Sequence, residues 1–307
     1  MEYRCVFMGS PQFAVSTLRE LTTNFNVVGV VTQPDRLAGR GRKPKPPAVK
    51  ITAHELRLPI IQPSKLRQPE AMEQLHDWKP DVIVVAAFGQ ILRPEVLDLP
   101  PYGCINLHAS LLPRWRGAAP IQAAILHDDR QTGVTIMRMD QGVDTGPLLS
   151  QKATLILENE TTGGLTKRLA DLGAGLLIET LPRYLSGKIT PTPQEDQFAT
   201  YAPMLKKEDG QLNFNQPAID LVRQVLAFNP WPGAFTTWND IRLLIHQASA
   251  ISEEELDRPI PPGEHTIHHK YPAIGTAKGL LVLEEIQPAG KKSMHGKAFL
   301  QGARNWI

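Results

Sequence analysis

Several things are scarce in this chain, and each scarcity excludes something. Two cysteines in 307 residues, Cys5 and Cys104, cannot build a disulfide scaffold and read as the reduced thiols of an intracellular protein. Long apolar runs are missing. Aspartate, lysine or arginine interrupts every hydrophobic stretch well short of the ~18 residues a membrane span requires. Excess charge of either sign is missing too: 33 Lys+Arg against 31 Asp+Glu leave a net charge of +2, which does not by itself mark a nucleic-acid binder. The opening MEYRCVFMGS runs straight into a strand-like pattern without the profile of a targeting segment, so the expected compartment is the cytoplasm. Neither G-x-G-x-x-G nor G-x-x-x-x-G-K-[ST] occurs, which demotes dinucleotide and nucleoside triphosphate binding.

What is present predicts an ordered α/β protein. The hydrophobic content of 42% is ordinary for a globular chain, and the length favours two domains. In the first half, strand-like runs at Arg4–Met8, Asn26–Thr32, Pro59–Ile61 and Asp81–Ala87 alternate with helical patterns at 11–23, 48–57 and 68–78. Valine- and isoleucine-rich strands separated by helices imply a doubly wound, mostly parallel sheet covered on both faces. Serine and proline in the Gly9-Ser10-Pro11 turn suit the start of a helix. Near residue 188 the texture changes: Pro191 and Pro193 hold an extended chain, as a linker does. Beyond it, Ile219, Val222, Val225 and Leu226 mark one helix, and runs such as Arg242–His246 and Leu280–Glu284 mark a small, mainly β domain. The expected division is a catalytic domain over 1–188, a linker over 189–205 and a C-terminal domain over 206–307.

Charge is concentrated locally. Between Arg36 and Lys50 stand six basic residues (Arg36, Arg40, Arg42, Lys43, Lys45, Lys50) and no acid, and the tail adds Lys291, Lys292, Lys297 and Arg304. Such patches can hold a polyanion on a nearly neutral molecule. The bland alternative is a solvated surface loop.

The most informative stretch is GCINLHASLLPRWRGAAPIQ, residues 103–122. If Cys104–His108 is a strand, Cys104, Asn106 and His108 share one face, and they lie at the strand end where open α/β sheets bind ligands. After another strand-like run, Val134–Met139, comes the acidic turn Asp140–Gly146 with Asp144. Three chemistries compete. Cysteine catalysis would pair Cys104 with His108, but four residues of strand separate their Cα atoms by ~13 Å, and a nucleophile must lie within ~3 Å of its base. An aspartic protease would use Asp144-Thr145-Gly146, yet no second D-[ST]-G exists to share the proton. Acyl transfer fits best: an asparagine N–H and an imidazolium can stabilise an oxyanion while Asp144 orients the imidazole, without metal or covalent intermediate. A hydrogen-bonded core histidine remains the competing explanation, and spacing alone leaves the reaction unnamed.

INLHASLLPRWRGAAPIQ and MDQGVDTG are similar to the signature and the acidic loop of the folate-dependent formyltransferase superfamily. TQPDRLAGRGRKPKPPAVK, FNPWPGAFT and IQPAGKKSM resemble landmarks of its methionyl-tRNA formyltransferases. The resemblance runs from end to end. It implies a Rossmann-like catalytic domain followed by a smaller OB-type β-barrel. The implied reaction moves the formyl group of 10-formyltetrahydrofolate to the α-amino group of methionine on initiator methionyl-tRNA, giving N-formylmethionyl-tRNA for translation initiation. By position, Asn106, His108 and Asp144 are the implied catalytic trio. Ser110, Leu111, Leu112 and Pro113, with Phe88, Ile91 and Leu92, are implied at the tetrahydrofolate donor. Arg40, Arg42 and Lys43 are implied at the tRNA. The expectation is a monomer without metal or membrane partner. Rival readings are formylation of another amine (an amino sugar nucleotide or a purine precursor) and a non-catalytic RNA-binding relative. The basic insertion and the C-terminal domain favour tRNA.

Overall fold

The computed structural model describes residues 3–38 and 43–307, and contacts divide the chain into two units. Unit 1 comprises Met1–Pro120, Gln131–Leu155 and Thr166–Ala202; unit 2 comprises Ile121–Arg130, Ile156–Leu165 and Pro203–Ile307.

Unit 1 is built on a seven-stranded sheet: β1 (Arg4–Gly9), β2 (Asn26–Val31), β3 (Ile60–Ile61), β4 (Val82–Ala86), β5 (Cys104–His108), β6 (Gln131–Arg138) and β7 (Leu148–Leu155), in the order β7-β6-β5-β4-β1-β2-β3. From β5 to β3 every pairing is parallel, whereas β6 and β7 run antiparallel to their neighbours. Every residue of β4 and β5 is buried, as expected of strands covered on both faces; β4 is an unbroken apolar run, whereas β5 buries Asn106 and His108 among apolar neighbours. The connecting helices α1 (Phe13–Asn24), α2 (Ala48–Glu55) and α3 (Pro69–Trp78) follow the expected segments closely. Pro69 opens α3, and Lys79, left-handed at φ 44°, closes it. Strand order reverses at β1, so the crevice beyond the carboxyl ends of β1, β4 and β5 is where such a sheet accepts ligands.

The proline-spaced segment is extended but is no free tether. Leu148 and Thr192 exchange backbone hydrogen bonds at 2.8 and 2.9 Å, and Tyr201–Ala202 pairs in parallel with Arg116–Gly117. Within unit 1 this strap is stitched to the polar end of the sheet.

Unit 2 centres on an antiparallel sheet of six strands, running from Ala234–Trp238 through the long Ile241–Ile251, Leu280–Pro288 and Tyr271–Gly275 to His265–His268, with Met294–His295 added on Leu280–Pro288. Helix Ala218–Ala227 packs on it with Leu221, Val222 and Val225. Of the four residues whose spacing marked this helix, Ile219 is 50% exposed, and Leu221 takes the buried place against the sheet. Trp306 closes the core, donating to the Thr266 carbonyl at 2.7 Å and stacking on His265.

Helix Thr162–Leu185 covers the site-bearing strand from below, where Gly173 lets it approach Leu107; a methyl group at Gly173 would come within 2.7 Å of the Leu107 side chain. Two residues on, a methyl at Gly175 meets open space. Gly175→Ala should therefore stabilise the protein by about 0.5–1 kcal/mol through helix propensity alone. Gly173→Ala should destabilise it by about 1–2 kcal/mol through overpacking. Urea midpoints compare the pair, and equal stabilisation by both would contradict this packing.

Both cysteines lie in the core of unit 1. Burial pushes each thiol up to about 12, and Cys104 Sγ faces the Val96 carbonyl at 3.5 Å. At pH 8 the thiolate is therefore a trace species. A disulfide reagent should modify neither cysteine until denaturant is added; rapid modification of the native protein with loss of activity would restore the cysteine mechanism.

Candidate active site

The sheet delivers two polar side chains to one buried face. Asn106 pairs with Met137 and His108 with Thr135 across the β5–β6 ladder, and the two are only 8% and 6% exposed. Leu107 between them turns to the opposite face, toward Gly173. Among the described residues the Asn106 carboxamide has no hydrogen-bond partner, and its polar end is reached by solvent although the residue is only 8% exposed, so its N–H pair is left for water or a ligand.

His108 is held from both sides. Its Nε2 donates to the Trp115 carbonyl at 2.9 Å, and its Nδ1 lies 3.5 Å from Asp144 Oδ2. That separation exceeds the ~2.7–2.9 Å of a closed charge-assisted hydrogen bond, so the Nδ1 edge is open to a third atom. The Gly117 N–H donates to the same Oδ2 at 2.9 Å, leaving Asp144 Oδ1 without a partner among the described residues. Asp144 reaches this position from a tight loop and is itself left-handed at φ 54°. Asp140 organises the loop by accepting from the Gly142 N–H at 3.0 Å and Thr145 Oγ1 at 2.7 Å. A Cβ on Gly146 would strike the Arg138 carbonyl, so here the D-T-G spelling is a turn carrying one carboxylate.

The S-L-L-P segment is the floor of the same region. Ser110 is fully buried and donates to the Arg114 carbonyl at 2.6 Å. Thr135 Oγ1 donates to the Ser110 carbonyl at 2.6 Å and accepts from the Leu112 N–H at 3.1 Å; Gln151 Nε2 donates to the Leu112 carbonyl at 2.8 Å. Ser110 thus spends its hydroxyl, and Leu112 its backbone N–H and carbonyl, on holding the turn, while Leu111 and Pro113 are half-buried.

The three expected residues of the 88–92 segment do not converge. Phe88 is buried, and its carbonyl accepts from Ser10 Oγ at 3.3 Å and Gln33 Nε2 at 3.2 Å. It lines a cavity of about 660 Å³ shared with Ser10, Gln33, Arg36, Lys45 and Ile51. Leu92 is packed in the core. Ile91, 86% exposed, borders a different cavity of about 710 Å³ rimmed by Lys65, Arg67, His76 and Arg93.

Of the expected RNA contacts, Arg40 and Arg42 lie outside the described residues. Lys43 opens the short strand Lys43–Lys45, paired with Arg36–Ala38; its side chain is likewise outside the description. Lys50 is no free charge: its Nζ lies 2.8 and 2.9 Å from the two oxygens of Asp35, and the Gln62 amide and Lys50 together hold that carboxyl below its usual range.

Sequence reasoning missed the residues that brace the trio. Gly117 donates its backbone to Asp144. Gln194 donates to the carbonyls of Asp144 and Gly146, both at 2.8 Å. Arg116, 1% exposed, donates to Gln194 Oε1 and to Asp196. The only signal was an arginine and glycine after the S-L-L-P turn. Among the described residues no cluster of three or more His, Cys, Asp or Glu could hold a metal ion, and no helix is long and apolar enough to cross a membrane.

A free buried amide donor beside an imidazole–carboxylate pair can stabilise charge developing on one carbonyl oxygen and accept a proton nearby. The sequence profile described as "Formyl transferase" matches residues 4–181, and that described as "Formyl transferase, C-terminal domain" matches residues 204–304. The chain is similar to a methionyl-tRNA formyltransferase of Roseiflexus castenholzii, 46% identical over 306 residues, covering 99% of this chain and 97% of the other. It is equally similar to one of Myxococcus xanthus, 46% identical over 300 residues, covering 97% and 95%. Among solved structures, an N-formyltransferase from Helicobacter canadensis, in complex with folinic acid and dTDP-3-aminofucose, superposes with a TM-score of 0.65 at 18% identity, covering 94% of this chain and 100% of that one. The last likeness is one of fold; the profiles and full-length relatives carry the stronger conclusion, that the chain belongs to the formyl transferase family, among its methionyl-tRNA formyltransferases.

Proposed function

We propose that this chain is a cytoplasmic methionyl-tRNA formyltransferase that moves the formyl group of 10-formyltetrahydrofolate to the α-amino group of methionine on initiator methionyl-tRNA. The observation that carries the mechanism is the unpartnered Asn106 carboxamide beside the His108–Asp144 pair. A formyl group on an arylamine-like nitrogen is an activated amide. An uncharged α-amine, whose ordinary pKa is ~8, can attack it directly. As the tetrahedral carbon forms, Asn106 Nδ2 donates to the oxyanion, and His108, as an imidazolium whose Nε2–H is on the Trp115 carbonyl, turns its Nδ1–H toward the same charge. Asp144 Oδ1 takes the proton lost by the amine, directly or through a water. As the bond from carbon to the folate nitrogen breaks, the proton held by Asp144 passes to that nitrogen, directly or through a water; the folate leaves as a neutral amine, the amide carbonyl re-forms on methionine, and the enzyme carries no covalent formyl group.

The donor's carboxylate end finds complementary charge in Lys65, Arg67 and Arg93 around the Ile91 cavity; none of them is in an ion pair among the described residues. The basic insertion with Arg40, Arg42 and Lys43 is the acceptor's phosphate contact, which also distinguishes RNA from a nucleotide sugar.

Asn106→Ala, His108→Ala and Asp144→Ala should each lower kcat by ~10²–10³ while donor and tRNA affinity stay within about twofold, the pattern of interactions made only in the transition state. Near-normal turnover in any two would defeat the assignment. For the acceptor, Arg40→Ala and Arg42→Ala should weaken methionyl-tRNA use and flatten the log-log salt dependence by about 0.7–0.9 per lost phosphate contact. Donor binding should be spared, and an unchanged slope would contradict phosphate contact. Faster formylation of a nucleotide-linked amino sugar than of methionyl-tRNA would replace this acceptor.

A further inference from the structure

Asp140 shapes the loop that carries Asp144 and the Gly117 N–H meets the carboxylate, but neither contact holds the backbone carbonyls of Asp144 and Gly146. Asp144 is a non-glycine residue in left-handed conformation, and its neighbours Gln141, Gly142 and Val143 are exposed. The strap of residues 190–202 supplies the missing restraint through a single side chain. Both amide hydrogens of Gln194 are used, on the Asp144 and Gly146 carbonyls that flank the turn. Its carbonyl oxygen accepts from Arg116 Nε at 3.1 Å and Nη2 at 2.9 Å, so the carboxamide is fully engaged. Arg116 is in turn anchored by Asp196 at 2.7 Å and by the backbone bond from its N–H to the Thr200 carbonyl at 2.9 Å. The same short strand orients the other half of the site: Trp115 carries the carbonyl that holds His108, and Gly117 carries the N–H that holds Asp144.

We propose that Gln194 is a positioning residue for formyl transfer: its amide clamps the Asp144 turn to the Arg116 strand and so fixes the carboxylate against His108. This rests on the role given to Asp144 above. Gln194 does not touch the reacting groups. Removing it should let the turn relax by a fraction of an ångström, which is costly where a group must meet a developing charge.

The test separates donation to the turn from simple bracing of Arg116. Gln194→Met removes both. Gln194→Glu keeps an acceptor for Arg116 but, as a carboxylate, cannot donate to the two carbonyls. Steady-state kinetics with methionyl-tRNA and the formylated folate are measured for both variants, for Asp144→Asn and for the Asp144→Asn/Gln194→Met double variant, with folding checked by circular dichroism. Both Gln194 variants should lose about 10–100-fold in kcat with each KM within about twofold, and Gln194→Met should cost less than about threefold further on top of Asp144→Asn. Full activity of Gln194→Glu, or a loss carried by KM, would overturn the clamp. Severe loss in Asp144→Asn with an additive loss from Gln194→Met would overturn the clamp while leaving the reading of the site intact. Near-normal turnover of Asp144→Asn would remove both.

Discussion

One constraint governs unit 1: an apolar sheet must hold an amide, an imidazole and a carboxylate at one buried strand end without wasting any of them. Burying such groups is unfavourable unless each finds a partner. His108 and Asp144 partly satisfy one another, with the Trp115 carbonyl and the Gly117 N–H as their other partners. Among the described residues the Asn106 carboxamide and Asp144 Oδ1 are left open. The acidic turn reaches the site from the far end of the strand: β6 runs antiparallel to β5, so Arg138 lies beside Ile105, and the 140–146 loop returns along the sheet to bring Asp144 within 3.5 Å of His108.

The groups that surround the trio are already occupied, which narrows the chemistry. Ser110 donates into the backbone of its own turn, and Cys104 is a buried thiol facing a carbonyl. Neither is free to act as a nucleophile. What remains is an arrangement suited to stabilising charge during direct attack of one substrate on the other, with two separate cavities flanking the 87–91 segment. The division of that segment, with Phe88 on one cavity and Ile91 on the other, is a consequence of a tight turn in which Ala87 and Gly89 both adopt positive φ.

Much of this was legible in the sequence wherever a feature is periodic or contiguous. Strand alternation put Asn106 and His108 on one face, and unbroken valine runs announced the parallel sheet. Periodicity failed at Ile219, which fits a helical stripe, yet Leu221 takes the buried place against the sheet instead. Counting charges along the chain misled at Lys50, one of the six basic residues of the 36–50 stretch, whose partner Asp35 lies 15 residues away in sequence. Gln194 was invisible for a simpler reason: it stands in a proline-spaced stretch whose composition signals only a connector, and its partners lie 48 and 50 residues upstream in the acidic turn. Backbone carbonyls leave no trace in side-chain motifs, so a residue that acts by holding them is found only in the fold.

The central claim is geometric, and a bound tetrahedral adduct tests it most directly. A stable bisubstrate compound joining the folate nitrogen and the amine through one tetrahedral carbon bearing oxygen would report where the charge develops. The account predicts that oxygen within about 2.7–3.1 Å of Asn106 Nδ2 and beside the His108 ring, with the amine nitrogen turned toward Asp144. An adduct bound with its oxygen directed away from both Asn106 and His108, while still inhibiting turnover, would contradict it.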